Sequence, residues 1–124
     1  MIKPLALLVH EDPLPGSQLV HRLQDLGYRT LTIVDADLLV AAAERERPMV
    51  VLMDLASCRV DVCAAIGRLR AGAATAHVPV IAFADPQQEE LPRRALAAGA
   101  TLAVTDVTVV MHLPQFLEQA LAVD

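Results

Sequence analysis

The sequence predicts an α/β domain built on a doubly wound parallel sheet, and two observations lead to this prediction. Short apolar segments alternate along the 124 residues with segments whose apolar residues recur at helical spacing. The segment 50–53 is apolar throughout, as expected of a strand that helices cover on both faces. We therefore expect a single domain over 1–124, with five strands, five helices and helices on both faces of the sheet.

The predicted strands are short, and helical segments separate them. The second strand alternates in polarity and is rich in β-forming residues, which favours a position at an edge of the sheet. The third strand is expected to be central because it is continuously apolar. In chain order, the predicted strands are 4–10, 28–34, 50–53, 78–84 and 101–105.

Residues that start or stop helices bound the intervening segments. Gly27 is expected to end the first helix, and Asp35 is a candidate N-cap of the second, which stops before Pro48. Pro92 lies inside the fourth helical segment, so the first turns of that helix should be irregular or absent. In chain order, the predicted helices are 15–27, 35–48, 61–72, 86–99 and 112–124.

The overall composition argues against several classes of protein. The net charge is −5 and the pI is about 5.2, so the chain offers little attraction to nucleic acid. No apolar run approaches the roughly 18 to 20 residues that span a bilayer, so no membrane segment is expected. The spacing of Cys58 and Cys63 fits neither a CxxC pair nor a disulfide framework. We interpret both as reduced thiols of a cytoplasmic protein.

Acidic residues follow several predicted strands, and functional sites of doubly wound sheets lie at the carboxyl ends of strands. Asp54 directly follows the apolar third strand, where burial of a carboxylate is costly unless a partner or a ligand compensates. His10 and Glu11 follow the first strand, and Asp106 follows the fifth. The first loop contains neither a dinucleotide-binding GxGxxG motif nor a P-loop motif, so those two kinds of site are unsupported.

This ordered set resembles the receiver domain of two-component response regulators over essentially the whole chain. The resemblance rests on the segments LALLVHEDP, VVLMDL, VPVIAFA and AAGATLAVTD and on their spacing. The resemblance implies a flavodoxin-like three-layer sandwich with strand order 2-1-3-4-5. It also implies a role as a stand-alone receiver in a phosphorelay, with a histidine kinase or another signalling protein as partner. It also implies that Asp54 is the phosphoacceptor and that Glu11, Asp54 and the backbone carbonyl of Ala56 hold Mg²⁺.

The sequence departs from this family at residues that handle the phosphoryl group. His10 stands in place of the first acid, and Ala103 in place of the aromatic switch residue on the fifth strand. The hydroxyl residue after the fourth strand is Ala84, and the lysine after the fifth strand is Asp106. Phosphoryl transfer to a carboxylate depends on positioned positive charge. We therefore expect Asp54 to be phosphorylated poorly and the domain to act through protein contacts.

Crowding of acidic side chains at the carboxyl ends of the strands is a further expectation. Repulsion between neighbouring carboxylates raises the pKa of at least one of them. A bound cation or a protonated His10 should relieve this repulsion. Mg²⁺ is the expected ion, and a weak contribution from His10 would make Mn²⁺ an alternative. Simpler interpretations remain open, in which Asp54 and Asp106 are caps and His10 is a neutral histidine. The carboxylates concerned are Glu11, Asp12, Asp54 and Asp106.

Two functions of other classes are alternatives to a phosphorylated receiver. The first is a structural or dimerisation module that keeps the fold and acts without phosphorylation. The second is an enzyme with an aspartate nucleophile, which would need a second acid two residues after Asp54. Ala56 stands at that position, so no enzymatic activity is expected.

A homodimer is expected from the composition of the last two predicted helices. The fourth helix is rich in alanine and carries Arg93 and Arg94, and the last helix carries an apolar stripe. We expect these two helices and the fifth strand to form the interface. The stripe consists of Leu113, Phe116, Leu117 and Leu121.

Overall fold

The computed structural model describes residues 4–9, 13–35, 38–55, 62–88 and 90–121. The strands are β1 (Leu5–Val9), β2 (Arg29–Ile33), β3 (Val50–Asp54), β4 (Val80–Ala84) and β5 (Leu102–Thr105). The helices in this part of the chain are α1 (Pro13–Asp25), α2 (Leu39–Glu46), α3 (Val62–Ala71), α4 (Glu90–Ala98), α5 (Asp106–Met111) and α6 (Leu113–Leu121).

The strands form one parallel sheet in the order β2-β1-β3-β4-β5, which confirms the predicted topology. Every residue of β1, β3 and β4 is buried, whereas β2 and β5 are partly exposed along their length. The difference follows from position, because helices cover both faces of a central strand while an edge strand has one open side.

Two apolar layers flank the sheet, and alternate strand residues enter each of them. On one face, Met53 packs in a cluster with side chains of α2, α3 and α4, including Leu39, Ile66 and Ala95. On the opposite face, Leu52 packs in a cluster with side chains of α1, α5 and α6. The domain is therefore a three-layer sandwich, as the sequence predicted.

The second helix begins later than the sequence suggested. The residue before α2 is Leu38, which has helical backbone angles and makes no side-chain capping bond. Asp35 instead accepts a backbone hydrogen bond of 3.0 Å from the amide of Leu38 through its carbonyl oxygen. The assignment of Asp35 as the N-cap of this helix was therefore wrong. The helix ends before Pro48, as predicted, with Arg47 in the left-handed region at φ 50°.

The fourth helix follows the prediction made from Pro92. It starts only at Glu90, so that Pro92 occupies its first turn, where the missing amide proton removes no helical hydrogen bond. Gly27 also takes the expected role, with φ 90° just after α1.

An additional short helix, α5, precedes the predicted last helix. The hydroxyl of Thr105 accepts a hydrogen bond of 3.2 Å from the amide of Thr108, which caps the start of α5 directly at the end of β5. Three of its six residues are valines, which have low helix propensity, so this cap and the complete burial of Val109 stabilise the helix instead. The described part of the chain thus has six helices, where five were expected.

Among the described residues, no helix has the length and apolar character needed to cross a membrane.

Candidate functional site

Asp54 is the last residue of the central strand and the only acidic residue within the sheet strands described. Only 8% of the surface of Asp54 is exposed, and the apolar residues that precede it in β3 are buried as well. Its register partner on β4 is Phe83. A carboxylate so placed requires compensation by a hydrogen-bond donor or a cation.

Ala84 ends the neighbouring strand β4, one residue beyond the level of Asp54. It is buried, at 2% exposure, and packs in the cluster formed with α2, α3 and α4. A methyl group can neither donate nor accept a hydrogen bond. This position therefore contributes no polar contact to a group bound at Asp54.

Asp106 begins α5 directly after β5, and it is partly buried. Its Oδ1 atom is buried and has no hydrogen-bond partner among the described residues. Thr105, and not Asp106, provides the capping side chain of α5, so the interpretation of Asp106 as a cap was wrong. A buried carboxylate oxygen without a donor carries a desolvation penalty of roughly 1–3 kcal/mol.

The strand order separates Asp54 from Asp106. Strand β4 lies between β3 and β5, and neighbouring strands are about 4.8 Å apart, so the backbones of the two residues are roughly 10 Å apart. Asp54 is buried and Asp106 is partly buried, and salt screens such charges much less than exposed ones. Any repulsion between the two carboxylates therefore acts across the end of β4.

Ala103 lies on β5 opposite Ala82 of β4, and both are small. It is partly exposed, and the next residue on the same side of the strand is Thr105. The side chains at 103 and 84 are both methyl groups, so neither offers an aromatic ring or a hydroxyl that could change orientation.

Several predicted site residues lie outside the described part of the chain. These are His10, Glu11, Asp12 and Ala56. Of the proposed metal ligands, the described part of the chain therefore includes Asp54 alone. Within the described ranges, no group of three or more histidine, cysteine or acidic residues could hold a metal ion. The carboxylate oxygen of Asp54 is nevertheless the kind of donor that Mg²⁺ prefers, and its position at the strand end fits such an ion.

The apolar stripe of the last helix is mostly core, which changes the expected dimer surface. Leu113 and Leu117 are buried, and Phe116 and Leu121 are partly buried. The side chains exposed beside β5 are instead Leu96 of α4 and two residues of α5, and sequence periodicity did not identify them as a surface. Their exposures are 50% for Leu96, 59% for Val107 and 61% for Met111.

The sequence places Asp85 and Thr105 at strand ends, but the local hydrogen bonds that these two residues make near the carboxyl edge were not predicted. The Thr-x-x-Thr pattern at 105–108 is a local capping signal that could have located α5. Asp85 follows β4 and is exposed, and its Oδ1 accepts a hydrogen bond of 2.9 Å from the amide of Gln87. The Asp-Pro sequence at 85–86 is a typical turn signal.

Solved structures similar to this chain are receiver domains. The receiver domain of a sensor histidine kinase from Pseudomonas aeruginosa, with magnesium coordinated in its active-site cleft, is 26% identical with a TM-score of 0.86, over 97% of this chain and 98% of that one. The signal receiver domain of a modulated diguanylate cyclase from Desulfovibrio desulfuricans is 25% identical with a TM-score of 0.80, over 97% and 94% of the two chains.

A chemotaxis response regulator from Vibrio cholerae shares the fold at 20% identity and a TM-score of 0.77, over 94% of this chain and 99% of its own. No protein-family model matches the sequence, and no curated protein does. The similarity therefore comes from structure, and it confirms the receiver-domain fold that the sequence resemblance implied.

Proposed function

We propose that this chain, which has the fold of the receiver domains of two-component signalling, uses Asp54 as a weak phosphoacceptor and acts mainly through protein contacts. The position of Asp54 supports the proposal most directly, because the residue ends the central strand at the carboxyl edge of the sheet. Sites of doubly wound sheets form at this edge.

Phosphorylation of Asp54 would proceed by in-line attack of a carboxylate oxygen on the phosphorus of a donor, with departure of the donor's leaving group. The developing charge on the phosphoryl oxygens needs hydrogen-bond donors and cations. In this chain Ala84 supplies no donor, and Asp106 brings a negative charge to the next strand end. The described neighbours of Asp54 therefore favour slow transfer.

Mg²⁺ is the ion that we propose for this site, and Mn²⁺ is the alternative. Asp54 would hold it together with Glu11 and the backbone carbonyl of Ala56, with His10 as a weak additional ligand. When bound, the ion would supply the positive charge that the missing lysine does not. The magnesium in the cleft of the Pseudomonas aeruginosa receiver domain supports this choice.

The proposed partners are proteins: a histidine kinase or another signalling protein, and a second copy of this chain. The homodimer would form through α4, β5 and α5, since apolar side chains stand exposed on both helices beside a partly exposed edge strand. Exposed apolar patches on a folded domain commonly mark such contacts. Arg93 and Arg94 are exposed on α4 and would lie at the rim.

The alternative proposal is a receiver-like module that acts entirely without phosphorylation. The observation that favours it is the pair of changes at Ala84 and Asp106, which leaves the edge of the sheet poorly suited to a phosphorylated Asp54. In that case the same surfaces would bind partners constitutively.

Treatment with acetyl phosphate and Mg²⁺, followed by intact mass measurement, tests the proposal. We expect a small fraction of singly phosphorylated protein that accumulates slowly and is absent from the Asp54→Asn variant. Complete absence of labelling, also with a histidine kinase domain as donor, would favour the phosphorylation-independent alternative. Rapid stoichiometric labelling would contradict the inferred role of the residues at 84 and 106.

A further inference from the structure

We infer that Arg70 of α3 latches the edge strand β5 to the rest of the sheet, and that β5 opens separately from the interior strands when this contact is lost. The inference goes beyond the proposed function, because it requires no phosphorylation, no metal ion and no partner. The contact lies at the edge of the sheet where the parallel strands begin, opposite the edge at which Asp54 ends β3.

Two nitrogens of the Arg70 guanidinium hold the segment that leads into β5. Its Nε donates a hydrogen bond of 2.8 Å to the carbonyl oxygen of Gly99, and its Nη2 donates to the hydroxyl of Thr101 at 3.2 Å. The same hydroxyl accepts a bond of 3.0 Å from the amide of Val80, and the amide of Thr101 donates 2.8 Å to the carbonyl of Val80. Thr101 therefore connects Arg70 with the start of β4, directly before β5 begins.

The third nitrogen, Nη1, fixes Arg70 to the turn between α3 and β4. It donates to the carbonyl of Ala76 at 2.9 Å and to the carbonyl of Val78 at 2.5 Å. The buried hydroxyl of Thr75 donates 2.5 Å to the carbonyl of Leu69, which fastens the same turn to the end of α3. One side chain thus joins the turn before β4 to the turn before β5.

The positive charge of Arg70 has no carboxylate partner in the described part of the chain. Its acceptors there are carbonyl and hydroxyl oxygens, and burial lowers the pKa of the guanidinium. Arg70 lies in the last turn of α3 and bonds to the residue that follows α4, and helix dipoles favour a cation at both places. A lysine would keep this charge but would lack the planar fork of donors that reaches both turns.

Gly99 allows the guanidinium to come this close. Its φ of 122° is rarely adopted by other residues, and a Cβ there would lie 2.6 Å from Cγ of Arg70 and 3.3 Å from its Nε. A side chain at position 99 would therefore displace the stem of Arg70.

Strand β5 has less to hold it than the interior strands have. It contains four residues, all of them partly exposed, and β4 is its one neighbour in the sheet. The strands β1, β3 and β4 are buried throughout, and each lies between two neighbours. Segments with few buried apolar contacts open at lower free energy than the rest of a domain. Loss of Arg70 should therefore release β5 before it releases the interior strands.

Native-state hydrogen exchange measured by NMR on the full chain tests the inference. In Arg70→Met, the protection of the amides of Thr101 and Val104 should fall at least tenfold more than that of the Val51 amide, which bonds β3 to the carbonyl directly before β4. Arg70→Lys should give a smaller selective loss, because the charge remains and the fork is gone. Arg22→Met, which removes an exposed arginine of α1, should leave the ratio of these protection factors unchanged.

Unchanged protection of Val104 in Arg70→Met would overturn the inference, even if that of Thr101 falls, because the turn would then fray while β5 stays in place. An equal loss at Val104 and Val51 would also overturn it, since Arg70 would then stabilise the domain as a whole. If Arg70→Met does not fold, Thr101→Val is judged by the same ratio, because it removes one arm of the contact and keeps Arg70.

Discussion

Asp54 of β3 and Phe83 of β4 are register partners, so Ala84 stands one residue beyond Asp54 on the adjacent strand. A side chain at position 84 is thus the nearest one on β4 that could reach beyond the strand end. The methyl group of Ala84 is buried in the apolar layer that α2, α3 and α4 form on one face of the sheet. This relationship makes position 84 the first place to restore a polar contact.

The double substitution Ala84→Thr with Asp106→Lys should raise the rate of Asp54 labelling by acetyl phosphate at least tenfold. The hydroxyl and the ammonium group would stabilise charge on the transferred phosphoryl group, and a tenfold change in rate corresponds to about 1.4 kcal/mol. Initial rates from intact mass spectra provide the measurement. Asp54→Asn in the same background should abolish labelling. An unchanged rate in a variant that melts cooperatively would show that other residues limit the reaction.

Mg²⁺ should raise the melting temperature of the wild-type protein. An ion that binds the folded state alone, at a concentration tenfold above its Kd, stabilises that state by about 1.4 kcal/mol. Asp54→Asn should abolish this effect, whereas Asp85→Asn should keep it, because Asp85 is exposed and its carboxylate accepts the Gln87 amide. Differential scanning calorimetry with and without chelator measures both. A shift that persists in Asp54→Asn would place the ion elsewhere.

Substitution of Leu96 and Met111 by glutamate should abolish self-association. Both side chains are exposed, on either side of β5, and charges placed in an apolar interface lose solvation when it closes. Sedimentation velocity over a range of concentrations should show a wild-type dimer and a monomeric double variant. Val34→Glu is the matched control, since Val34 is 61% exposed but follows β2 at the opposite edge of the sheet. A wild-type protein that stays monomeric at high concentration would rule out the dimer.

Arg47→Gly should stabilise the domain by roughly 1 kcal/mol. Arg47 has φ 50°, a left-handed conformation that costs about 1–2 kcal/mol for residues other than glycine, and its amide still donates 2.9 Å to the carbonyl of Ala43. The side chain is exposed, so little packing is lost. Glu44→Gly, inside the same helix, should destabilise by about 1 kcal/mol. Urea unfolding of both variants tests the pair, and equal destabilisation by the two would contradict the argument.

The sequence alone determined the strands, their burial and the location of Asp54. A strand covered on both faces needs apolar residues throughout, and the segment before Asp54 satisfies this without reference to any other part of the chain. Glycine and proline positions bounded helices for equally local reasons, as Gly27 and Pro92 show. These features depend on backbone geometry and on solvation, both of which neighbouring residues specify.

Tertiary structure decided what depends on contacts between distant segments. The placement of β4 between Asp54 and Asp106 sets how far apart their backbones lie. The number of residues between them in the sequence does not predict that distance. Burial of Val109 stabilises a helix in a segment rich in valine, and burial of Leu113 and Leu117 removes a stripe from the surface. Helical periodicity identifies an apolar face, but only the neighbouring elements determine whether that face becomes core or remains exposed.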